Sequence, residues 1–206
     1  MGKKNLKKLV VSFFLIFLST LAALLLRQAS LVEQSPSPEF RKKGPDSARI
    51  RIFEHSDFGC PACALSHKYL NELLSVYKEE IQLNFKHYPL PELHPNSPKA
   101  ALYADCAGRQ GKFWEFADSL FSEQEKWVRA ENPEPFFEGL FRKLGLDAEK
   151  LKRCAADPET LKDFNMDVSF GDLKRIDATP TFFVNGERAV GPGQLSEKIR
   201  HWESKK

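Results

Sequence analysis

Alternating apolar and polar residues predict two strands in the first half of the chain, Ile50–His55 and Ile81–His87. The run Asp57-Phe58-Gly59 ends the first strand in a turn. Between the strands, Pro61 marks the first turn of a helix that continues to about Tyr77. Apolar residues at helical spacing predict one buried stripe on this helix, formed by Leu65, Tyr69, Leu73 and Val76.

The middle of the chain changes to helical periodicity. Tyr88–Pro98 contains four prolines and predicts an irregular loop. Residues 96 to about 175 then form a predicted helical block, with helical periodicity from Lys99 onward. Its expected breaks lie at Gly108, Asn132-Pro133, Gly145 and Asp157-Pro158.

The last part of the chain predicts a hairpin and a final helix. Thr181–Val184 and Arg188–Val190 flank Asn185-Gly186, a pair typical of tight hairpin turns, and Gly193–Trp202 predicts the helix. The order is β-α-β, a helical block, then a hairpin and a helix. This order predicts an α/β fold in which the helical block is inserted between the two halves of the sheet.

The chain begins with a basic and then strongly apolar segment, residues 1–27. Leu9–Leu26 is uncharged over eighteen residues, and at about 1.5 Å per residue it would extend about 27 Å, close to the thickness of a bilayer core. The lysines at positions 3, 4, 7 and 8 precede it and only Arg27 follows, which predicts a cytoplasmic N-terminus and an exported remainder. A cleaved signal peptide, with Thr20-Leu21-Ala22 at its cleavage site, is the alternative. Both interpretations export the rest of the chain.

Residues 28–46 predict a flexible tether between membrane and domain. This segment contains Ser35-Pro36-Ser37-Pro38 and Arg41-Lys42-Lys43, a composition that builds no core. The folded domain is therefore expected over residues 47–206, which is long enough for one well-buried core.

Composition and charge exclude several classes of protein. The 206 residues are 42% hydrophobic and include 17 Phe, which argues against disorder. The formal net charge is +3, but residues 1–27 alone carry +5, so the remaining residues sum to −2. The basic charge thus belongs to the N-terminal segment, and no basic surface for nucleic acid is expected.

Four cysteines carry the strongest chemical signal. Cys60-Pro61-Ala62-Cys63 lies where a strand and turn give way to a helix. Unpaired N–H groups and the helix dipole favour a thiolate at Cys60, so Cys60 is the predicted nucleophile and Cys63 the resolving thiol. A zinc site is one alternative, disfavoured because no second ligand pair has zinc-site spacing. A purely structural disulfide is the other, disfavoured because so short a loop at a helix start would be strained and labile.

Three segments resemble the DsbA-like thioredoxin-fold oxidoreductases. Glu54–Cys63 is similar to their active-site segment, Ala100–Phe121 to their helical insertion, and Thr179–Gly186 to their proline loop and hairpin. The resemblance covers nearly all of residues 47–206. It implies a thioredoxin fold with an inserted helical domain and thiol:disulfide oxidoreductase activity, with no metal or organic cofactor.

The same resemblance implies the roles of further residues. The Thr179–Pro180 bond is expected to be cis, with Pro180 packed against the cysteine pair, although a trans turn is the alternative. Thr179, Pro61 and Ala62 are the expected substrate contacts. Glu54 corresponds to a buried acid that exchanges a proton with Cys63, and an exposed carboxylate at the strand end is the alternative.

The remaining polar residues are assigned structural roles. Asp57 is expected to stabilise its turn, and His55, His87 and His94 are expected in loops or on the surface rather than as metal ligands. Cys106 and Cys154 are expected to form a structural disulfide, because exported thiols tend to be oxidised. Two separate buried thiols are the alternative.

Together these features predict an exported thiol:disulfide oxidoreductase with a signal anchor, a single-pass cell-membrane protein whose catalytic domain is periplasmic or otherwise extracytoplasmic. Its expected partners are unfolded exported proteins that contain cysteines, and a membrane quinone-linked oxidase that resets the pair. Disulfide donation is the favoured direction. Ala62 stands where strongly oxidising relatives carry His, so a weaker oxidant is expected. A reductase or isomerase, for example in cytochrome maturation, and a redox-inert holdase are the alternatives.

Overall fold

The computed structural model describes residues 12–21 and 37–204. The chain divides into two units, one ending at Pro36 and the other beginning at Ser37. In the first unit, residues 12–21 form a helix with exposed side chains. The lysine cluster, Arg27, Ala22 of the alternative cleavage site and eight of the eighteen residues of Leu9–Leu26 lie outside the described residues. Within the two described ranges, no helix has both the length and the apolar character needed to cross a membrane.

Residues 37–204 contain five strands and seven α-helices, which we label in chain order. They are β1 (Lys42–Lys43), β2 (Ile50–Ser56), α1 (Pro61–Val76), β3 (Ile81–His87), α2 (Ser97–Gly108), α3 (Phe113–Ser122), α4 (Glu134–Lys143), α5 (Ala148–Ala155), α6 (Pro158–Leu173), β4 (Thr181–Val184), β5 (Glu187–Val190) and α7 (Gly191–Glu203). Short 3-10 helices occur at Glu39–Arg41 and Gln124–Lys126. The predicted loop extends two residues too far, because α2 begins at Ser97 and Pro98 is tolerated in its first turn.

The strands form one mixed sheet in the order β1-β3-β2-β4-β5. β2 and β3 are parallel, and α1 supplies the crossover that parallel neighbours require. β1, β4 and β5 each run antiparallel to their neighbours. The register places Glu54 of the central strand β2 between Phe85 of β3 and Phe182 of β4. The carboxyl group is thus carried by the middle of the sheet.

Helices α1 and α7 cover one face of this sheet. Ile50 and Ile52 of β2 pack there with Leu70 and Leu74 of α1. Because successive strand residues alternate between faces, Glu54 shares the face that α1 covers. The predicted stripe on α1 is confirmed at Tyr69 and Leu73, which pack partly buried against this core, and wrong at Leu65 and Val76, which are 65% and 71% exposed. The buried face of α1 instead includes the polar residues Ser66 and His67, which an apolar pattern does not register.

Residues 37–46 belong to the folded unit, which corrects the predicted extent of the tether and the predicted domain start at residue 47. The Ser37 hydroxyl donates a hydrogen bond to a carbonyl of β3, and Lys42–Lys43 form an antiparallel strand beside β3. Arg41 is fully buried, and its guanidinium pairs with Asp105 of α2 and Asp167 of α6. Local composition predicted that the lysines and arginines of this segment are solvated. The prediction was wrong for Arg41 because the carboxylates that neutralise it lie 64 and 126 positions away in the sequence.

The helical block runs from α2 to α6 between the two halves of the sheet. Its core is aromatic, with Phe116, Trp127 and Phe137 fully buried. The predicted disulfide is present: Cys106 of α2 and Cys154 of α5 are joined, with their Cα atoms 5.8 Å apart. The disulfide therefore links two helices within the helical block.

Candidate active site

Cys60 lies where the chain leaves β2 and begins α1. It immediately precedes the helix, and Pro61 occupies the first turn, where its missing N–H leaves no partner unsatisfied. The Cys60 N–H donates to the Asp57 carbonyl at 3.0 Å, and the Cys60 carbonyl accepts from the Ala64 N–H at 3.2 Å. Cys63, one turn deeper, is fully buried, whereas Cys60 is 8% exposed. Cys60 is therefore the sulfur of the pair that another molecule can reach.

The two thiols have pKa values shifted in opposite directions. A hydrogen bond from the Cys63 thiol is the largest influence that lowers the pKa of Cys60 to about 6, against the opposing effect of burial; Thr179 and the Ala62 N–H lower it further. Burial raises the pKa of Cys63 well above its ordinary value, and Cys60 adds to the rise. Near neutral pH the pair therefore holds a thiolate at Cys60 and a thiol at Cys63. This is the predicted division into nucleophile and resolving group.

The segment before β4 places Thr179 against the sulfur of Cys60. The Thr179–Pro180 bond is cis, as the family resemblance implied, and the Cys60 thiol donates to the Thr179 carbonyl at 3.3 Å. The Thr179 hydroxyl is buried and has no hydrogen-bond partner among residues 37–204. A hydroxyl can turn its proton toward an adjacent thiolate. Thr179 thus stabilises the ionised form of Cys60.

Glu54 is fully buried on the sheet face covered by α1. Burial raises the pKa of Glu54 to about 7, and the Ser56 hydroxyl and the charge of Lys43 offset part of the rise. Ser56 also lowers the pKa of Cys63, so it lies beside both groups. A carboxyl group with this pKa can give or take a proton near neutral pH. The alternative prediction, an exposed carboxylate, is wrong.

Asp57 fixes the turn before Cys60, in keeping with its predicted structural role. Its Oδ1 accepts from the Gly59 N–H at 2.8 Å, and its Oδ2 accepts from the Leu90 N–H at 2.8 Å and lies 2.7 Å from Nδ1 of His94. A Cβ on Gly59 would come within 2.6 Å of His94 and 2.5 Å of Ser97. A glycine is therefore needed where the loop after β3 closes on the turn.

Gln124, in the 3-10 helix after α3, is a contact that the sequence did not reveal. Its side-chain amide donates to the carbonyls of Phe58 and Cys60 at 2.7 and 2.9 Å. A single glutamine carries no chemical signature, and it lies 64 positions from Cys60 along the chain. The helical block thereby holds the active-site turn directly.

Two histidines predicted in loops or on the surface are buried in strands. His55 of β2 stacks on Phe170 with ring centroids 6.5 Å apart, and burial lowers the pKa of His55 to about 4, so its ring is neutral at pH 7. His87 of β3 has its Nε2 2.8 Å from Asp105. The prediction failed because both rings are buried by contacts with other elements, Phe170 of α6 for His55 and Asp105 of α2 for His87. Among the residues that the structure describes, no three His, Cys, Asp or Glu side chains form a group that could hold a metal ion.

We expect the reduced protein to show one thiol that ionises at a pH of about 6 when thiolate ultraviolet absorbance is followed. The variant Cys63→Ala should raise the pKa of Cys60 by roughly one unit or more, because it removes the largest stabilising hydrogen bond. The matched variant Cys60→Ala should lose the low-pH step entirely. Ionisation of Cys60 near about 8.5, as in free cysteine, would contradict the assignment.

Glu54 should make stability fall as pH rises. Between its ordinary pKa of 4.5 and about 7, the folded protein keeps a proton that the unfolded chain releases. The contribution of Glu54 to the free energy of unfolding should therefore decrease across this window by roughly 3 kcal/mol, whereas the buried His55 ring, whose pKa is lowered to about 4, contributes in the opposite direction. In the oxidised protein, where neither active-site thiol titrates, the free energy of unfolding of the wild type minus that of Glu54→Gln should fall by roughly 3 kcal/mol from the lower to the upper end of the window when both are measured by urea denaturation.

The control for this experiment is Glu72→Gln, on the exposed side of α1. It should keep the wild-type dependence of stability on pH. An unchanged dependence in Glu54→Gln would show that Glu54 ionises in the folded protein as it does in the unfolded chain.

Curated relatives match most of this chain but only part of their own length. The Na(+)/H(+) antiporter NhaA 3 of Salinispora tropica is 35% identical over 73% of this chain, and the antiporter NhaA of Herminiimonas arsenicoxydans is 30% identical over 72%. The chain spans 22% and 23% of these two proteins. The antiport in their names therefore describes proteins far longer than the matched region.

Solved structures share the fold over most of both chains. Wolbachia pipientis alpha-DsbA1 has a TM-score of 0.72 and 20% identity, covering 84% of this chain and 94% of its own. A thioredoxin-like oxidoreductase from Silicibacter pomeroyi has a TM-score of 0.68 and 22% identity, covering 85% and 96%. BdbD from Bacillus subtilis has a TM-score of 0.67 and 20% identity, covering 79% and 91%.

The sequence model of a family described as Thioredoxin matches residues 39–200, which includes every strand and nearly all of the helices of the folded unit. Family and fold thus agree with the resemblance drawn from the three sequence segments. The chain belongs to the thioredoxin family, with the fold of its DsbA-like thiol:disulfide oxidoreductases.

Proposed function

We propose that the protein donates disulfides to exported proteins through Cys60 and Cys63. The observation that carries this proposal is the opposite shift of the two thiol pKa values, to about 6 for Cys60 and well above the ordinary value for Cys63. Stabilising the Cys60 thiolate stabilises the reduced form of the pair, which makes its disulfide a better oxidant. The word oxidoreductase in the name of the Silicibacter pomeroyi structure agrees with this chemistry.

In the donor direction, a substrate thiolate attacks the Cys60 sulfur of the oxidised pair. The Cys60–Cys63 bond breaks, its electron pair leaves on Cys63, and Glu54 supplies the proton that the buried Cys63 sulfur requires. A second substrate thiolate then attacks the mixed disulfide and releases Cys60 as a thiolate. The substrate gains one disulfide and the cysteine pair is reduced by two electrons. Thr179, Pro61 and Ala62, which surround the exposed sulfur, contact the substrate.

The strength of the oxidant follows from the contacts at Cys60. A pKa of about 6 lies between the values of about 7 for thioredoxin and about 3.5 for DsbA. Ala62 offers only its backbone N–H, whereas a histidine there could add a charged hydrogen bond. Because roughly 30 mV corresponds to 1.4 kcal/mol, one such contact moves the potential appreciably. An oxidant of intermediate strength is therefore proposed.

We expect the Cys60–Cys63 pair to equilibrate with glutathione at a potential between about −270 and about −120 mV. Alkylation of the two thiols at defined glutathione ratios, read by mass spectrometry, gives this value. A potential at or below about −270 mV would favour the reductase over the donor.

Trapping variants provide the control for this measurement. Cys63→Ser should accumulate mixed disulfides with cysteine-containing proteins, because the resolving thiol is missing, and Cys60→Ser should accumulate none. An absence of adducts in both variants would favour a redox-inert holdase. The Cys106–Cys154 bond lies outside this pair, so adducts on those cysteines are not expected.

We further propose that the domain is exported and tethered to the membrane by residues 1–27. The lysine cluster and the apolar segment Leu9–Leu26 support the anchor, and the Cys106–Cys154 disulfide supports an oxidising compartment. A donor must be reoxidised after each turnover. A quinone-linked oxidase in the same membrane is the proposed partner, and unfolded exported proteins with cysteines are the proposed substrates.

Alkaline phosphatase fused to the C-terminal end of the full chain should be active, because it folds only after export. The fusion should stay with the membrane pellet after an alkaline carbonate wash. The same fusion starting at Ser37 should be inactive in cells, which serves as the control. An active fusion found in the wash supernatant would identify a cleaved signal peptide, and an inactive full-length fusion would contradict export.

A further inference from the structure

An open cavity of about 470 Å³ lies beside Cys60. Its lining includes Gly59 and Pro61, the two residues that flank Cys60 in the sequence, together with His94. Thr179 contacts the Cys60 sulfur itself. Because Gly59 and Pro61 both line the cavity, a substrate bonded to Cys60 can place neighbouring groups in it, and His94 is an imidazole of this lining that has no role in the exchange steps proposed above.

His94 is held in one orientation by Asp57. The Asp57 Oδ2 lies 2.7 Å from Nδ1 of His94 and also accepts from the Leu90 N–H at 2.8 Å, while Oδ1 accepts from the Gly59 N–H. A carboxylate surrounded by donors accepts, so Nδ1 of the neutral ring carries the proton. The other nitrogen, Nε2, then has a lone pair and has no hydrogen-bond partner among residues 37–204.

This arrangement has the three parts of an activated nucleophile site. A carboxylate fixes the tautomer of an imidazole, and the imidazole has an unused basic nitrogen beside a place where a sulfur must react. The carboxylate also stabilises the imidazolium that forms when Nε2 takes a proton. The Asp57 carboxylate is completely buried, and the His94 side chain is 12% exposed. The dyad is thus built into the fold and only its ring reaches the cavity.

We propose that this cavity receives the attacking thiol of the substrate and that His94 is its general base. The proposal rests on the disulfide donation proposed above. As the substrate sulfur bonds to Cys60, its proton moves to Nε2 of His94, and the Cys60–Cys63 bond breaks with its electron pair on Cys63. Cys63 takes a proton from Glu54. After a second substrate thiol displaces Cys60, one of the two substrate protons has replaced the proton of Glu54 and the other is released to solvent.

A base at this position matters only for a thiol that is still protonated. A cysteine peptide with a pKa of about 8.5 is only about 3% ionised near pH 7. The thiol 5-thio-2-nitrobenzoate is ionised at the same pH and needs no base. A purely structural histidine would affect the two thiols equally, so the ratio of their rates isolates the proton transfer.

The test compares both thiols in the oxidised full-length protein and in His94→Asn. Asparagine can still donate from a side-chain amide to Asp57 but offers no basic nitrogen. The second-order rate of reduction by each thiol is measured near pH 7 by acid quenching and mass spectrometry. We expect His94→Asn to slow the cysteine peptide by about tenfold or more and 5-thio-2-nitrobenzoate by less than about twofold.

The ratio keeps its meaning when part of the variant is misfolded, because a misfolded fraction lowers both rates equally. His201→Asn, on the exposed side of α7, is the matched control and should leave both rates unchanged. Equal slowing of both thiols, or no slowing of either, would overturn the role of His94 while leaving disulfide donation intact. Failure of the wild-type protein to oxidise either thiol would instead refute disulfide donation.

Discussion

The chemistry of the active site follows from the difference in pKa between two sulfurs one helical turn apart. Cys60 precedes α1, where the first backbone N–H groups have no partner within the helix, and Cys63 is enclosed by the sheet and the helix. The Cys60 thiolate can attack and leave readily, whereas the buried Cys63 sulfur reacts only within the pair and only with transfer of a proton. Exchange with other molecules therefore passes through Cys60, and Cys63 opens or closes the ring.

Distant parts of the chain hold the turn on which this difference depends. Gln124 of the helical block binds the Cys60 carbonyl, and Thr179 before β4 contacts its sulfur, from positions 64 and 119 residues away. The helical block is thus part of the active site rather than an attachment to it. The Cys106–Cys154 bond restricts the unfolded chain and stabilises this block by about 4 kcal/mol in the chain-entropy model.

The sequence correctly predicted the features that depend on a local pattern of residues. Alternation located β2 and β3, Asn185-Gly186 located the hairpin, and the cysteine spacing located the reactive pair. The errors arose where burial is decided by distant partners. Arg41 lies in a stretch of solvated composition but is neutralised by two carboxylates of the helical block. The orientation of His94 depends on Asp57, 37 positions earlier, so only the folded chain reveals the dyad.

Arg41 is buried in the folded unit, so the segment around it is not part of a flexible tether. If residues 1–27 anchor the protein as proposed, this shortens the connection between the anchor and the domain. The folded unit begins at Ser37, so residues 28–36 alone separate the anchor from the domain. Nine residues reach at most about 32 Å in any arrangement. Under that proposal, so short a connection would keep the oxidation of substrates near the membrane from which exported polypeptides emerge.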